Sequence, residues 1–175
     1  MKNAVVVYKS TYGTSKAYAE RIASELNADL LPANKASLRA LHAYAVIVYG
    51  GGIYAGRIAG AGRIGRLLKR LPDKRLAVFS VGFTPATRLD ILEKVRTNGF
   101  GDTLRHAIAF YHFPGPVPLD RLNLPHRILL AGRKLSMIFN GAPKRAEQAK
   151  GAPVSAGKTL PLGLTEPLIT FVEGL

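Results

Sequence analysis

Short apolar runs alternate with segments in which apolar residues recur at helical spacing along residues 4–113. The runs are continuously apolar, which is typical of parallel strands that are covered on both faces. Because right-handed crossovers leave few topologies, we predict an α/β fold, a doubly wound five-stranded parallel sheet of strand order 2-1-3-4-5. The predicted strands are 4–8, 29–31, 44–49, 76–81 and 106–113, and the predicted helices are 15–26, 37–42, 60–70 and 86–97, with Asn98-Gly99 as the stop signal of the last.

After the fifth strand the pattern changes. The prolines of residues 113–118 rule out a regular element there, because each removes a backbone donor. We predict a basic insertion over 112–139, an irregular segment over 140–164, and a short closing helix over 168–175 that begins from Thr165-Glu166-Pro167. No repeat or second core is evident, so residues 1–175 are predicted to form one domain.

A hydroxyl-rich turn lies between the first strand and the first helix. Amide groups at a helix start have no intrahelical partner and carry partial positive charge, so they attract anions. The turn lacks the lysine of a triphosphate-binding loop, which favours a smaller phosphate group. Serine and threonine are also common helix N-caps, so an ordinary cap remains an alternative for these residues alone. The candidate phosphate-binding residues are Ser10, Thr11, Tyr12, Gly13, Thr14 and Ser15.

Two further loops are predicted at the same edge of the sheet, where the carboxyl ends of the strands meet beside the first strand. Each contains glycine, which lets backbone approach a flat ligand, and an aromatic side chain that can stack on one. A tight turn would also account for each glycine taken singly. Together the three loops predict a site for a phosphorylated aromatic cofactor. The additional candidates are Gly50, Gly51, Gly52, Ile53, Tyr54, Ala55 and Gly56 in one loop, and Val81, Gly82, Phe83 and Thr84, followed by Pro85, in the other.

Residues 60–65 match the dinucleotide-binding pattern Gly-x-Gly-x-x-Gly. That pattern binds a dinucleotide only directly after a strand, with an acidic residue about 20 positions later. Neither condition is met, so we predict a helix entry. Cysteine is absent and the four histidines do not have metal-ligand spacing, so no metal site and no thiol chemistry are predicted.

The chain carries a formal net charge of +14 and a sequence pI of about 10.4, which favours anionic partners. The basic residues show no nucleic-acid recognition motif, which argues against nucleic acid. The basic segment 112–139 has the pattern of an interfacial helix on an anionic membrane, or of an ordinary solvated helix. With no apolar run of about 18 residues and no signal-peptide core, we expect a cytoplasmic protein, at most peripheral to the inner face of the membrane.

Three stretches of the chain match a known pattern: Tyr8–Glu20, Tyr49–Gly56 and Leu76–Gly82. They resemble the flavodoxin-like family, in particular the long-loop branch that includes menaquinone-dependent protoporphyrinogen dehydrogenases and other flavodoxin-domain proteins. The resemblance covers roughly residues 1–139 and fades afterwards. Unlike typical electron-carrier flavodoxins the chain is basic, and it contains no tryptophan to stack on a flavin.

The resemblance implies FMN as the cofactor, with its phosphate at residues 10–15 and its isoalloxazine ring at residues 50–56 and 81–85. It also implies an oxidoreductase acting on a protoporphyrinogen-like or quinone substrate. Two alternatives stay open: an electron-transfer module without its own substrate, and a cofactor-free fold that binds anions. Arg57 is the candidate cation beside the ring. His112 and Tyr54 lie near the expected mouth, but no catalytic acid or base is predicted.

Overall fold

The structure is a computed structural model that describes residues 3–84, 87–105, 108–115 and 163–174. In this part of the chain, strands and helices alternate as the sequence pattern predicts. The strands are β1 (Ala4–Lys9), β2 (Asp29–Pro32), β3 (Val46–Tyr54), β4 (Arg57–Ile58), β5 (Arg75–Gly82) and β6 (Ile108–Pro114). The helices are α1 (Thr14–Glu25), α2 (Leu38–His42), α3 (Ala61–Leu68), α4 (Leu89–Arg105) and α5 (Glu166–Glu173).

The main sheet is parallel, with the strand order β2-β1-β3-β5-β6. The two-residue strand β4 pairs antiparallel with the end of β3 and stands outside this path. With β4 set aside, the observed order is the predicted 2-1-3-4-5. The predicted doubly wound parallel fold is therefore confirmed.

Helices cover both faces of the sheet, which explains why the strands are continuously apolar. Alternate residues of one strand enter different cores: Val5 and Val7 belong to one, and Val6 belongs to the other. The first core is completed from α2, α3 and α4, and the second from α1 and α5. The helix residues involved are Leu41, Ile64, Leu68, Val95 and Phe100 on the first face, and Tyr18, Ile22, Leu168 and Val172 on the second.

Strand β3 does not end where the sequence suggested. The prediction of a glycine loop from residue 50 is wrong, because β3 continues through the glycines to Tyr54. A Cβ added at Gly50 would lie 1.8 Å from Cζ of Phe79, its neighbour across the strand pair. A Cβ at Gly51 would lie 2.9 Å from a methyl group of Ile58. These glycines therefore make room inside the sheet for a ring and for the hairpin that follows.

The turn that joins β3 to β4 is the two-residue segment Ala55-Gly56. Both residues have positive φ, 49° for Ala55 and 72° for Gly56. Such a pair is typical of the tight hairpin turn that matches the twist of the flanking strands. Glycine adopts this conformation without a steric penalty, whereas alanine adopts it only at an energetic cost.

Replacing Ala55 by asparagine should raise the free energy of unfolding by about 0.5–1 kcal/mol, a part of the roughly 1–2 kcal/mol that a left-handed conformation costs most residues. Urea denaturation should show a higher midpoint with an unchanged slope. Ala17→Asn, at an exposed position inside α1, serves as the control and should be destabilising. A loss of stability in the Ala55 variant would contradict the explanation.

Helix α4 passes the predicted stop at Asn98-Gly99 and breaks at the next glycine. Gly101, with φ 66° and ψ 178°, separates two helical segments, the second of which ends at Arg105. The predicted stop is therefore slightly too early, and the break lies at Gly101. Between these positions Phe100 is 3% exposed and belongs to the first core, so packing holds the helix beyond the local stop signal.

Several predictions fall on residues outside those described. Of the basic segment 112–139 only residues 112–115 are described, as the end of β6 and the residue after it. Most of the predicted irregular segment 140–164, and the single domain over 1–175, likewise stay predictions. The closing helix is observed as α5, and the hydroxyl of the buried Thr165 before it donates to Oε2 of Glu25 at 3.0 Å.

Candidate functional site

The turn between β1 and α1 ends in a helix start that no side chain caps. The N-cap residue is Gly13, with φ 93°, and it makes no side-chain capping bond. Its own N–H donates to Oγ of Ser10 at 3.0 Å, so one serine hydroxyl shapes the turn instead. The N–H of Ala17 donates to the Gly13 carbonyl at 3.0 Å. The N–H groups of Ser15 and Lys16 precede this bond in the chain, so they have no acceptor within the helix. An ordinary serine or threonine N-cap is therefore not the explanation of this turn.

The charges around this turn suit an anion. The first turn of α1 carries no acidic residue, so no carboxylate within that turn compensates the positive end of the helix dipole. Lys9 is exposed at the end of β1, and Lys16, whose Nζ lies 3.4 Å from Oε1 of Glu20, is half exposed in the first turn. A cavity of about 370 Å³ adjoins the turn on its β2 side. Its lining residues are Tyr8, Lys9, Ser10, Gly13, Lys16, Pro32, Ala33 and Asn34.

The hairpin after β3 touches this turn through two tyrosines. The ring centroids of Tyr12 and Tyr54 are 6.4 Å apart, and the ring planes are inclined by 55°. Burial raises the pKa of the Tyr54 phenol, and a hydrogen bond with the Thr11 hydroxyl partly opposes that rise. The Tyr54 hydroxyl is therefore neutral at physiological pH and keeps a proton that it can donate.

The third predicted loop reaches the same edge. Its first two residues, Val81 and Gly82, are buried at the end of β5, whereas the Phe83 side chain is 57% exposed. A Cβ added at Gly115, the residue after β6, would lie 2.2 Å from Cγ1 of Val81 and 3.2 Å from Cγ2 of Thr14. The end of β5 and the start of α1 therefore lie side by side.

All three predicted segments thus meet at the carboxyl edge of the sheet, but not every predicted residue faces solvent there. Ser15, the glycines of β3, and Val81 and Gly82 are buried. The exposed or partly exposed candidates are Ser10, Thr11, Tyr12, Gly13, Thr14, Ile53, Tyr54, Ala55, Gly56, Phe83 and Thr84.

A polar network that was not predicted from the sequence lies beneath the third loop. Oγ of the fully buried Ser80 lies 2.8 Å from Nδ1 of His112, and Nε2 of His112 lies 2.7 Å from the Thr84 carbonyl oxygen. Burial lowers the pKa of His112, and the bond to Thr84 partly opposes that shift. The sequence did contain a signal for this network. Ser80 and His112 are polar residues near the carboxyl ends of two neighbouring apolar strands.

The glycine pattern at residues 60–65 is a helix entry, as predicted. Gly60, with φ 78°, is the N-cap of α3. Nη2 of Arg63 donates to the carbonyls of Asn34 and Ala36, both at 3.3 Å, so this arginine ties α3 to the segment after β2. Among the described residues there is no cluster of histidine and carboxylate side chains that could hold a metal ion. Nor does the described part of the chain contain a helix with the length and apolar character needed to span a bilayer.

The sequence profile of a family described as "Flavodoxin domain" matches residues 5–140, which is most of the chain. The chain belongs to the flavodoxin domain family. The resemblance seen in the sequence is therefore confirmed at the level of the family. None of the curated proteins matches this flavodoxin domain chain.

This flavodoxin domain is similar to solved structures. Oxidised flavodoxin 2 from Bacillus cereus is similar with a TM-score of 0.50 and 19% identity, covering 64% of this chain and 84% of that one. The Trp repressor binding protein from Bacillus subtilis is similar with a TM-score of 0.46 and 15% identity, covering 77% of this chain and 95% of that one. At 19% identity the likeness to flavodoxin 2 supports the fold alone.

Proposed function

We propose that this flavodoxin domain protein binds FMN at the carboxyl edge of its sheet and acts as an oxidoreductase that transfers electrons through it. The observation that carries the proposal is the meeting of an uncapped helix start with two loops that present aromatic side chains. An anion site beside aromatic side chains is complementary to a ligand that joins a phosphate to a flat ring system.

The residues present fit each part of FMN. The phosphate would be held by the amides at the start of α1 and by the hydroxyls of Ser10, Thr11 and Thr14. The ring would lie against Tyr54 and Phe83, whose partial exposure leaves aromatic surface available. When bound, FMN supplies the electron-accepting and electron-donating chemistry, and the protein supplies binding, orientation and electrostatics.

Tyr12 and Tyr54 would both lie beside the bound ligand. Their contact closes the space between the phosphate turn and the hairpin, which limits the access of water to the ring. The protonated Tyr54 hydroxyl provides a hydrogen-bond donor at that boundary. These residues would orient the ligand and shield it, and none of them is assigned a proton-transfer step.

Titration of the cofactor-free protein with FMN and with riboflavin tests the proposal. FMN should bind about 100-fold more tightly or better, because each hydrogen bond to a charged group contributes roughly 1.5–3 kcal/mol. Inorganic phosphate should compete with FMN but not with riboflavin. Protein that is colourless once unbound FMN has been removed, and whose thermal unfolding FMN does not shift, would refute the proposal.

We further propose a quinone-like electron acceptor, with a protoporphyrinogen-like compound as a candidate donor. The support is electrostatic: Arg57 is exposed on β4, next to the hairpin that carries Tyr54. A cation near the ring stabilises the negative charge that reduction adds, so the potential should be less negative than in acidic flavodoxins. Turnover of protoporphyrinogen with a quinone acceptor tests this assignment, and its absence would leave an electron-transfer module.

Replacing Arg57 by glutamine should make the reduction potential of bound FMN more negative by about 20–40 mV. This range corresponds to roughly 0.5–1 kcal/mol for an exposed charge, at 59 mV for each 1.4 kcal/mol in a one-electron couple. Redox titration of the loaded protein measures it. Arg70→Gln is the matched control, because Arg70 is exposed beyond the far end of α3. Equal shifts in both variants would mean that only total charge matters.

A further inference from the structure

We infer that His112 is a positioning residue, whose neutral ring holds the loop after β5 so that the Phe83 side chain faces the proposed cofactor site. The hydrogen bonds are properties of the cofactor-free protein, and only their role in ligand binding rests on the proposed function. His112 is not itself a candidate for contact with the reacting atoms.

The hydrogen bonds determine which ring nitrogen carries the proton. A carbonyl oxygen can only accept, so the 2.7 Å contact with Thr84 requires a proton on Nε2 of His112. In the neutral ring Nδ1 then has no proton and accepts a hydrogen bond from the Ser80 hydroxyl at 2.8 Å. The burial that lowers the pKa of His112 favours this neutral form.

The sheet fixes this geometry. Ser80 of β5 and His112 of β6 are direct partners in the parallel register, so their side chains leave the sheet side by side on the same face. Ser80 is fully buried, so its hydroxyl needs a partner within the protein. The histidine ring therefore has one nitrogen anchored to the sheet and the other directed at the loop.

Phe83 lies between two anchored residues. The Gly82 carbonyl accepts from the N–H of Gly115 at 3.1 Å, and the Thr84 carbonyl accepts from His112. Between them the Phe83 side chain remains 57% exposed. Fixing the backbone on both sides limits the directions in which this ring can point, which lowers the ordering cost of placing it against a ligand.

The first test uses NMR of the cofactor-free protein. Long-range nitrogen–proton correlations should show the tautomer of His112 that is protonated on Nε2. The backbone order parameters of Phe83 and Thr84 should fall in His112→Leu from about 0.85 towards about 0.6, the range of flexible segments. His112→Gln, whose side-chain amide can still donate to Thr84, should restore most of the order. His42→Leu, an exposed histidine on α2, is the matched control and should change neither value.

Ser80→Ala provides a second test, which can be measured even if the His112→Leu variant fails to fold. It removes the donor to Nδ1 and leaves the bond from Nε2 to Thr84, so the ring should stay protonated on Nε2 and the order parameters should hold. A wild-type ring protonated on Nδ1, or unchanged loop order in His112→Leu, would overturn the inference.

Ligand binding separates this inference from the proposed function. His112→Leu should weaken FMN and riboflavin equally, by about tenfold, because the loop is expected to contact the ring that both ligands share. Wild-type protein that binds neither ligand would remove the proposed function and the role in binding, but would leave the NMR result standing. Unaltered binding of both ligands in His112→Leu would refute the positioning role while the FMN assignment stands.

Discussion

Replacing Thr11 by aspartate is expected to weaken FMN binding by about 100-fold and to leave riboflavin binding nearly unchanged. Thr11 is exposed in the turn before α1, so the change places a carboxylate where the phosphate would lie. Like charges about 4 Å apart repel by roughly 4 kcal/mol at an effective dielectric constant of about 20, and solvent screening reduces this to nearer 2–3 kcal/mol. Calorimetric titration with each ligand measures the difference.

The control for this variant is Thr170→Asp, which adds the same charge at an exposed position of α5. It should reduce FMN affinity by no more than about twofold, because exposed charges beyond a Debye length are largely screened. The loss caused by Thr11→Asp should also shrink as salt is added. Equal losses for FMN and riboflavin would show that the turn is distorted rather than that the phosphate is repelled.

Replacing Gly50 by alanine is expected to lower the free energy of unfolding by about 3 kcal/mol, at the upper end of the usual cost of overpacking a core. The added Cβ would lie 1.8 Å from Cζ of the fully buried Phe79, so a ring in a filled core would have to move. Urea denaturation followed by circular dichroism gives the difference. Gly62→Ala is the control, since a Cβ there meets nothing within 4 Å on an exposed helix position. It should instead be stabilising by about 0.5–1 kcal/mol.

A second substitution tests whether Phe79 is the obstacle. Phe79→Leu alone should destabilise, because it leaves a void in the core. Combined with Gly50→Ala, it should make the double variant about 1–2 kcal/mol more stable than the sum of the two losses. Strict additivity would show that the cost at Gly50 has another origin.

The parts of the fold that depend on local or repeating patterns were predictable from the sequence. Continuous apolar runs implied two covered faces, and the handedness of crossovers then left the observed strand order. The turn at residues 10–15 was predictable as the start of α1 for the same reason, because it depends on adjacent positions, and its role as an anion site stays a proposal. What the sequence could not show was whether a serine or Gly13 caps α1.

The errors arise where a distant residue decides the local conformation. Gly50 looked like a loop residue, but the ring that fills the space above it belongs to Phe79 on another strand. Asn98-Gly99 looked like a helix end, but the burial of Phe100 carries α4 past it. The Ser80–His112 pair depends on the register of β5 against β6, which only the folded sheet fixes.

The glycine at the head of α1 has a consequence for the lifetime of the protein. Gly13 offers no side-chain cap, so a bound oxyanion would accept hydrogen bonds from the N–H groups at the start of α1. Binding of the anion would therefore raise the free energy of unfolding. Ligand at 100 times its dissociation constant adds about 2.7 kcal/mol. Molecules made when the ligand is scarce would open more often and meet proteases sooner. The abundance of the protein would then follow the supply of its ligand.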